Sequence, residues 1–203
     1  GVDDGSSDAT AAVAARAGAA VLRLGENLGV GEAERRGLAY AYARGYGWAV
    51  RLDGDGQHPA ACVAGLLAPL RRGEADVVIG SRFLAAGGGR YRVSRPRRLG
   101  MALFRTLLRR STGRSFSDPT SGFRAYSRRA MDAVSRGEPR RYPEVVSLRD
   151  LCSAGFRVVE VPVEMSPRLH GRSSLAGRRG VAMAIAVARD LAFTRVNGWG
   201  NAP

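Results

Sequence analysis

The chain contains no lysine; all 32 of its basic residues are arginine. Cysteine is nearly absent too. The two present, Cys62 and Cys152, lie in apolar helical contexts with no metal-ligand spacing, which excludes a disulfide scaffold and points to a reducing compartment. Long apolar runs are also missing. The best candidate, Val181 to Ala188, is less than half of the ~20 residues a spanning helix needs, and Arg189-Asp190 follow it directly. There is no signal peptide. The sequence opens without methionine, at Gly1-Val2-Asp3-Asp4-Gly5, which reads as the end of a strand entering a turn, so a preceding strand is expected to be missing.

What is present is ordinary in bulk and unusual in charge. At 203 residues the chain is one domain, or one with a small appendage. It is 45% apolar and 25% charged, as globular proteins are. The net charge of +14 is far from balance. Arginine binds phosphate through a bidentate fork, so a polyanionic partner follows: nucleic acid, an anionic membrane surface or a phosphorylated substrate. Against nucleic acid, the arginines mostly lack interleaved stacking aromatics, Tyr91 excepted, and no nucleic-acid module is recognisable.

Along the chain, strand and helix patterns alternate. Ser6 to Ala17 reads as a helix capped by Ser7 or Asp8, Ala20 to Leu24 as a strand, Glu32 to Ala43 as a helix and Gly47 to Leu52 as a strand. A helix from Pro59 to about Arg72 and a β-branched strand around Val77 to Ile79 follow. Alternation of this kind predicts an α/β sheet with parallel neighbours. Leu84 to Arg98 is glycine- and arginine-rich and reads as a basic loop. Leu99 to Leu108, Arg124 to Val134, Glu144 to Ala154 and Gly180 to Phe193 read as helices, and Phe156 to Val163 as a strand. The last helix has too thin a polar face to seek a surface by itself, so core or partner packing is expected for it.

The segment with the most chemistry is Arg51-Leu52-Asp53-Gly54-Asp55-Gly56-Gln57-His58. Two carboxylates spaced i, i+2 and an amide leave one tight turn at a strand end. Hard cations such as Mg²⁺ take oxygen ligands of this kind and keep waters and substrate phosphates in their shell. The glycines would let a phosphate approach the backbone. Aspartate and glycine also make ordinary solvated turns, so the turn alone decides nothing.

Five further motifs accompany it in order: Val2-Asp3-Asp4-Gly5-Ser6-Ser7-Asp8, Asp76-Val77-Val78-Ile79-Gly80-Ser81-Arg82-Phe83, Asp118-Pro119-Thr120-Ser121-Gly122-Phe123-Arg124, Gly155 through Val163, and Gly171-Arg172-Ser173-Ser174. Together they resemble the family 2 glycosyltransferases, nearest the dolichol-phosphate mannose synthase and polyprenyl-phosphate glycosyltransferase group. The resemblance covers residues 1–175, leaving 176–203 as a C-terminal helix and tail. It implies a GT-A fold, a Rossmann-like three-layer α/β sandwich with a mostly parallel central sheet, here without its first strand and the turn that walls the nucleotide. It implies an inverting transfer from a nucleotide-diphosphate sugar to a polyprenyl phosphate at the cytoplasmic face of the membrane, with peripheral contact to anionic lipid. The alternatives are a soluble or glycan hydroxyl acceptor, an inactive chain, or a basic nucleic-acid binder.

The same resemblance assigns residues. Asp3 and Asp4 would face the nucleotide, Asp4 above all, though both could serve a helix N-terminus. Asp53, Asp55 and Gln57 would hold Mg²⁺ or Mn²⁺ against the diphosphate, with His58 in support because imidazole suits Mg²⁺ poorly. Arg82 would grip the acceptor phosphate, joined by Arg97 and Arg98 and by the loop carrying Arg168, Arg172, Ser173 and Ser174. Asp118 would be the catalytic base, an orienting group or a cap. A phosphate monoester is largely ionised near neutral pH, its second pKa being about 6, and would need little base assistance; a hydroxyl acceptor would need a base.

Overall fold

The computed structural model describes residues 1–84, 95–140, 142–165 and 178–193. In chain order the elements are β1 (Val2–Asp3), α1 (Thr10–Arg16), β2 (Leu22–Arg23), α2 (Val30–Ala43), β3 (Trp48–Arg51), a 3₁₀ turn (Ala60–Cys62), α3 (Val63–Arg71), β4 (Val77–Ser81), α4 (Arg95–Thr112), β5 (Arg124–Ser127), α5 (Arg128–Arg136), α6 (Pro143–Ser153), β6 (Val158–Pro162) and α7 (Arg178–Phe193). Strands β1 and β2 pair in parallel as one small sheet. The main sheet has the order β3-β5-β4-β6.

In that sheet β5 lies antiparallel between β3 and β4, whereas β4 and β6 pair in parallel. Thus β3, β4 and β6 all run one way and β5 alone runs back. The period of two is visible in burial. Val77 and Ile79 of β4 enter one core with Leu38, Phe104, Leu108, Tyr126, Met131 and Leu148. Val78 enters the other with Leu66, Leu70, Phe123, Ala125 and Val163. All five residues of β4 are buried, as a central strand covered on both faces must be. Each fully buried aliphatic side chain contributes ~1.5–3 kcal/mol, which makes β4 the sheet's anchor. Helix α3 covers one face, while α2, α4, α5, α6 and α7 supply the other.

Element boundaries shift from the sequence reading, and three of the differences bear on the site or on capping. Arg124 to Ser127 is a strand and not the start of a helix. Phe123 and Ala125 face one core while Tyr126 faces the other and Arg124 is wholly buried, an alternation hidden by the arginine. Helix α4 begins at Arg95, so Arg97 and Arg98 stand in its first turn and not in a loop. Pro96 suits that first turn, where no intrahelical N–H is required. Helix α1 begins only at Thr10, whose amide and hydroxyl both donate to Asp8 Oδ1 (2.9 and 2.5 Å). Helix α7 packs against α4 and α6 and buries Val187 and Leu191 in the main core, which is the core packing expected of it.

Candidate active site

Because β3, β4 and β6 share one direction, their C-terminal ends lie at one edge of the sheet; the N-terminal end of antiparallel β5 lies there too. The Asp53 turn follows β3, Arg82 follows β4 and the Asp118–Phe123 turn precedes β5. Topology alone therefore gathers three of the predicted motifs at the edge where open α/β sheets place their ligands.

Specific contacts join these turns. Arg82 donates to Asp118 through a fork, Nε to Oδ2 at 2.6 Å and Nη2 to Oδ1 at 2.7 Å, and Nη2 also reaches Thr120 Oγ1 at 3.2 Å. The Arg82 amide adds a bond to Asp118 Oδ2 at 3.3 Å. The Asp118 side chain is fully buried. From β6, Glu160 accepts the amides of Ser117 and Asp118 at 2.6 and 2.7 Å, while Ser81 and Ser117 share a hydroxyl–hydroxyl bond at 2.5 Å. The Asp118 turn is thus fastened to both β4 and β6. Of the roles open to Asp118, this geometry suits the orienting one, because both carboxylate oxygens face Arg82.

The Asp53 turn is fastened on its other side. His58 Nδ1 accepts the Asp53 amide at 3.0 Å, and its ring stacks on Phe123 with centroids 4.8 Å apart. Burial pushes the His58 imidazole below its ordinary value, against the upward pull of Asp53 and Asp55. With Nδ1 engaged and the ring packed, His58 supports the turn. The Gln57 backbone N–H donates to Asp55 Oδ1 at 3.0 Å, and the Asp53 side chain is 45% exposed at the turn's mouth. Gly122 leaves room here: a Cβ on it would stand 3.2 Å from Asp53 Oδ2 and 3.2 Å from Arg51 Nη2, so those side-chain ends would have to give by a few tenths of an ångström.

Among the described residues no cluster of three or more His, Cys, Asp or Glu side chains could hold a metal alone. Two carboxylates and the Gln57 amide are the donor set at this turn, all oxygen. That set fits Mg²⁺ or Mn²⁺ when substrate phosphates and water complete the shell.

Asp3 ends β1 and Asp4 begins the turn that follows it. Asp4 Oδ1 accepts the Leu28 amide at 2.7 Å and Oδ2 the Gly29 amide at 2.9 Å, which pins the loop entering α2. Asp3 Oδ1 accepts the Ser6 amide at 3.2 Å. Gly5 between them and the helix has φ +73°, and a Cβ there would lie 2.5 Å from the Glu26 carbonyl carbon, so only glycine closes this turn. Arg98 is exposed in the first turn of α4. The side chain of Arg97, and all of Arg168, Arg172, Ser173 and Ser174, lie outside the described residues.

One group of residues was missed by the sequence reading. Arg51 Nη1 reaches Glu34 Oε2 at 3.1 Å and Nη2 reaches Glu144 Oε1 at 2.8 Å. Tyr126 donates to Glu34 Oε1 at 2.5 Å. Arg124, fully buried, donates to the carbonyl oxygens of Ser121, Pro119 and Glu144. Burial opposes the charge of Arg51, but the carboxylates of Glu34 and Glu144 more than offset it and raise its pKa. Burial likewise works against the Glu144 carboxylate, and Arg51 and Arg124 still hold it below the ordinary range. The only local signal was an arginine in an otherwise apolar strand directly before the Asp53 turn.

Comparison with known proteins identifies the family. The Glycosyl transferase family 2 profile matches residues 2–135. A polyprenol monophosphomannose synthase of Mycolicibacterium smegmatis is 33% identical over 186 residues, 87% of this chain and 69% of the relative. An undecaprenyl-phosphate mannosyltransferase of Micrococcus luteus is 32% identical over 154 residues, 73% of this chain and 61% of the relative. Among solved structures, glucosyl-3-phosphoglycerate synthase from Mycobacterium tuberculosis, in complex with Mn²⁺, UDP-glucose and phosphoglyceric acid, superposes with a TM-score of 0.66 at 26% identity, covering 94% of this chain and 66% of that one. The mixed α/β fold is therefore GT-A-like, and the chain belongs to Glycosyl transferase family 2.

Proposed function

We propose that this chain carries the catalytic domain of an inverting glycosyltransferase that moves a sugar from a nucleotide-diphosphate donor to a polyprenyl phosphate at the cytoplasmic face of the membrane. The observation that carries the reading is the convergence, at one sheet edge, of the half-exposed Asp53 turn with an arginine clasped by Asp118. One feature binds a metal–diphosphate and the other is a fixed cation for a second phosphate. The two mannosyltransferase relatives are named for polyprenol and undecaprenyl phosphate chemistry, which supports the acceptor class.

In this reading Asp53, Asp55 and Gln57 hold the divalent cation, Mg²⁺ or Mn²⁺, and the Asp3-Asp4 turn borders the nucleotide. When bound, the cation would neutralise charge developing on the leaving nucleoside diphosphate. Arg82, with Arg98 and the residues Arg97, Arg172 and Ser173, attracts and aligns the acceptor phosphate. An ionised phosphate oxygen attacks the anomeric carbon, the bond to the diphosphate breaks on the opposite face, and the configuration inverts. Such a nucleophile carries no proton to remove, which agrees with Asp118 serving to orient Arg82.

Membrane contact is supported by the outer face of α4 and α7. Arg98, Leu99 (75% exposed), Leu103, Arg109 and Arg110 line it on α4, with Ile185 (65% exposed) and Arg189 on the neighbouring α7. Apolar side chains rimmed by arginine suit an anionic interface. Among the described residues no helix is long and apolar enough to cross a membrane.

A second reading, transfer to a hydroxyl of a small phosphorylated acceptor, is favoured by the structural likeness to the phosphoglycerate-bound enzyme. Incubation with labelled nucleotide sugars, Mn²⁺ and either a short polyprenyl phosphate or 3-phosphoglycerate separates the two. Label on the lipid alone, lost with EDTA and in Asp53→Asn, is the expected result. Label on phosphoglycerate alone replaces the first reading with the second.

A further inference from the structure

We infer that Arg51 is a positioning residue for the Asp53 carboxylate, and that Gly122 supplies the space in which the two meet. The inference rests on the reading of Asp53 as a metal ligand and adds how that ligand is aimed.

Arg51 is the last residue of β3 and Asp53 stands two residues on, in the turn that follows, where the two side chains approach each other. The guanidinium is 11% exposed; it donates to the carboxylates of Glu34 and Glu144 and lies near that of Asp53. Nη1 goes to Glu34 on α2 (3.1 Å). Nη2 goes to Glu144 at the start of α6 (2.8 Å) and stands 3.6 Å from Asp53 Oδ1. Glu34 and Glu144 are the tight partners and fix where the guanidinium sits. Asp53 meets an already anchored cation at longer range, which biases its rotamer without consuming its oxygens. A planar fork can hold several carboxylates at once; a lysine ammonium at the end of a flexible stem cannot reproduce that arrangement.

Gly122 comes from a different element and closes the arrangement from above. An added Cβ would stand 3.2 Å from both Arg51 Nη2 and Asp53 Oδ2. Its φ is not in the left-handed region. Crowding of these two side-chain ends, and not backbone conformation, is thus what an alanine at this position would change. The neighbouring Phe123 stacks on His58, which in turn accepts the Asp53 amide, so the backbone of Asp53 is braced from the β5 side while its side chain lies near Arg51.

The device would set metal affinity. Groups that orient a metal ligand without touching the metal typically change affinity by about 10–100-fold when removed. Three variants, Arg51→Met, Gly122→Ala and Asp53→Asn, are titrated with Mn²⁺ alone, with the free ion followed by electron paramagnetic resonance. Thermal melting is recorded on the same samples. Gly122→Ala keeps every charge of the network, so it tests geometry even where Arg51→Met lowers stability. The expected result is about tenfold weaker Mn²⁺ binding for Gly122→Ala with its melting cooperative and near that of the parent, a comparable or larger loss for Arg51→Met, and no binding for Asp53→Asn. If Asp53→Asn abolishes binding while the other two stay within about twofold of the parent, the positioning role is wrong and the metal site stands. If Asp53→Asn itself binds like the parent, the metal site is wrong and the inference goes with it.

Discussion

Arg82 and Asp118, 36 residues apart in sequence, form a buried fork at 2.6 and 2.7 Å that ties the end of β4 to the turn before β5. A buried ion pair of this kind is weak evidence for stability, since desolvation offsets most of the attraction. Its value lies in placing a guanidinium at a fixed point of the sheet edge. Both Asp118 oxygens face Arg82, an arrangement that suits a carboxylate orienting the guanidinium. The pair therefore bears on mechanism as well as on folding.

From this pair comes the first prediction. Asp118→Asn removes the carboxylate that faces the buried Arg82 guanidinium, and breaking a buried pair costs about 3–5 kcal/mol in stability. Arg82→Lys keeps the charge but loses the fork and serves as the milder variant. It should raise the KM for acceptor about tenfold, the equivalent of ~1.4 kcal/mol, with a smaller change in kcat. In whatever Asp118→Asn protein is folded, the acid limb of the kcat–pH profile should persist. Disappearance of that limb, with the acceptor KM unchanged, would identify Asp118 as the base.

The second prediction concerns pH and lies away from the site. On α2, Glu32 accepts Arg35 Nε and Nη2, both at 2.7 Å, and Arg36 Nε at 2.6 Å. The hydrogen bonds from Arg35 lead the causes that hold its carboxyl down at about 2, from an ordinary 4.5. A depressed folded-state pKa means the contribution is complete above pH 4.5 and is lost as pH falls towards 2. Because Arg36 is half exposed, screening keeps the contribution to about 0.3–1 kcal/mol. Chemical denaturation at pH 7 and pH 3 measures it. Glu32→Gln should be less stable than the parent at pH 7 and closer to it at pH 3; an equal gap at both values would refute the assignment.

Much of this arrangement could be read from sequence because its signals are local. The Asp53 turn, the apolar β4 ending at Arg82 and the helices α2 and α6 each announce themselves within about ten residues by period or by turn chemistry. The strand Arg124–Ser127 did not, since a buried arginine sits where an apolar residue would be expected. Its guanidinium is satisfied by carbonyls of the Pro119–Ser121 turn and of Glu144, partners that exist only once the chain has folded. Glu34, Glu144 and Glu160 were illegible for the same reason. A glutamate on a helix or a strand edge looks solvent-facing until another element brings it an arginine or a pair of amides. Arg97 and Arg98 were read as loop residues because the glycine-rich run ahead of them masked where helical periodicity begins.

The last prediction takes the outer face of α4 and α7 as the contact with lipid. Leu99 and Ile185 are 75% and 65% exposed, so changing them should move folding stability by no more than about 0.5 kcal/mol. Inserting each into an interface would remove apolar area worth ~1.5–3 kcal/mol if fully buried. Co-sedimentation with vesicles rich in phosphatidylglycerol should therefore show the parent in the pellet, with Leu99→Ser or Ile185→Ser weakening partition about tenfold. Combined Arg109→Gln and Arg110→Gln substitutions should flatten the dependence on salt, because arginines near an anionic surface each contribute about 1 kcal/mol that ionic strength screens. A parent that stays in the supernatant at low salt would remove the membrane from the reading. It would also shift the balance to the small phosphorylated acceptor, since a soluble substrate needs no lipid-facing helix.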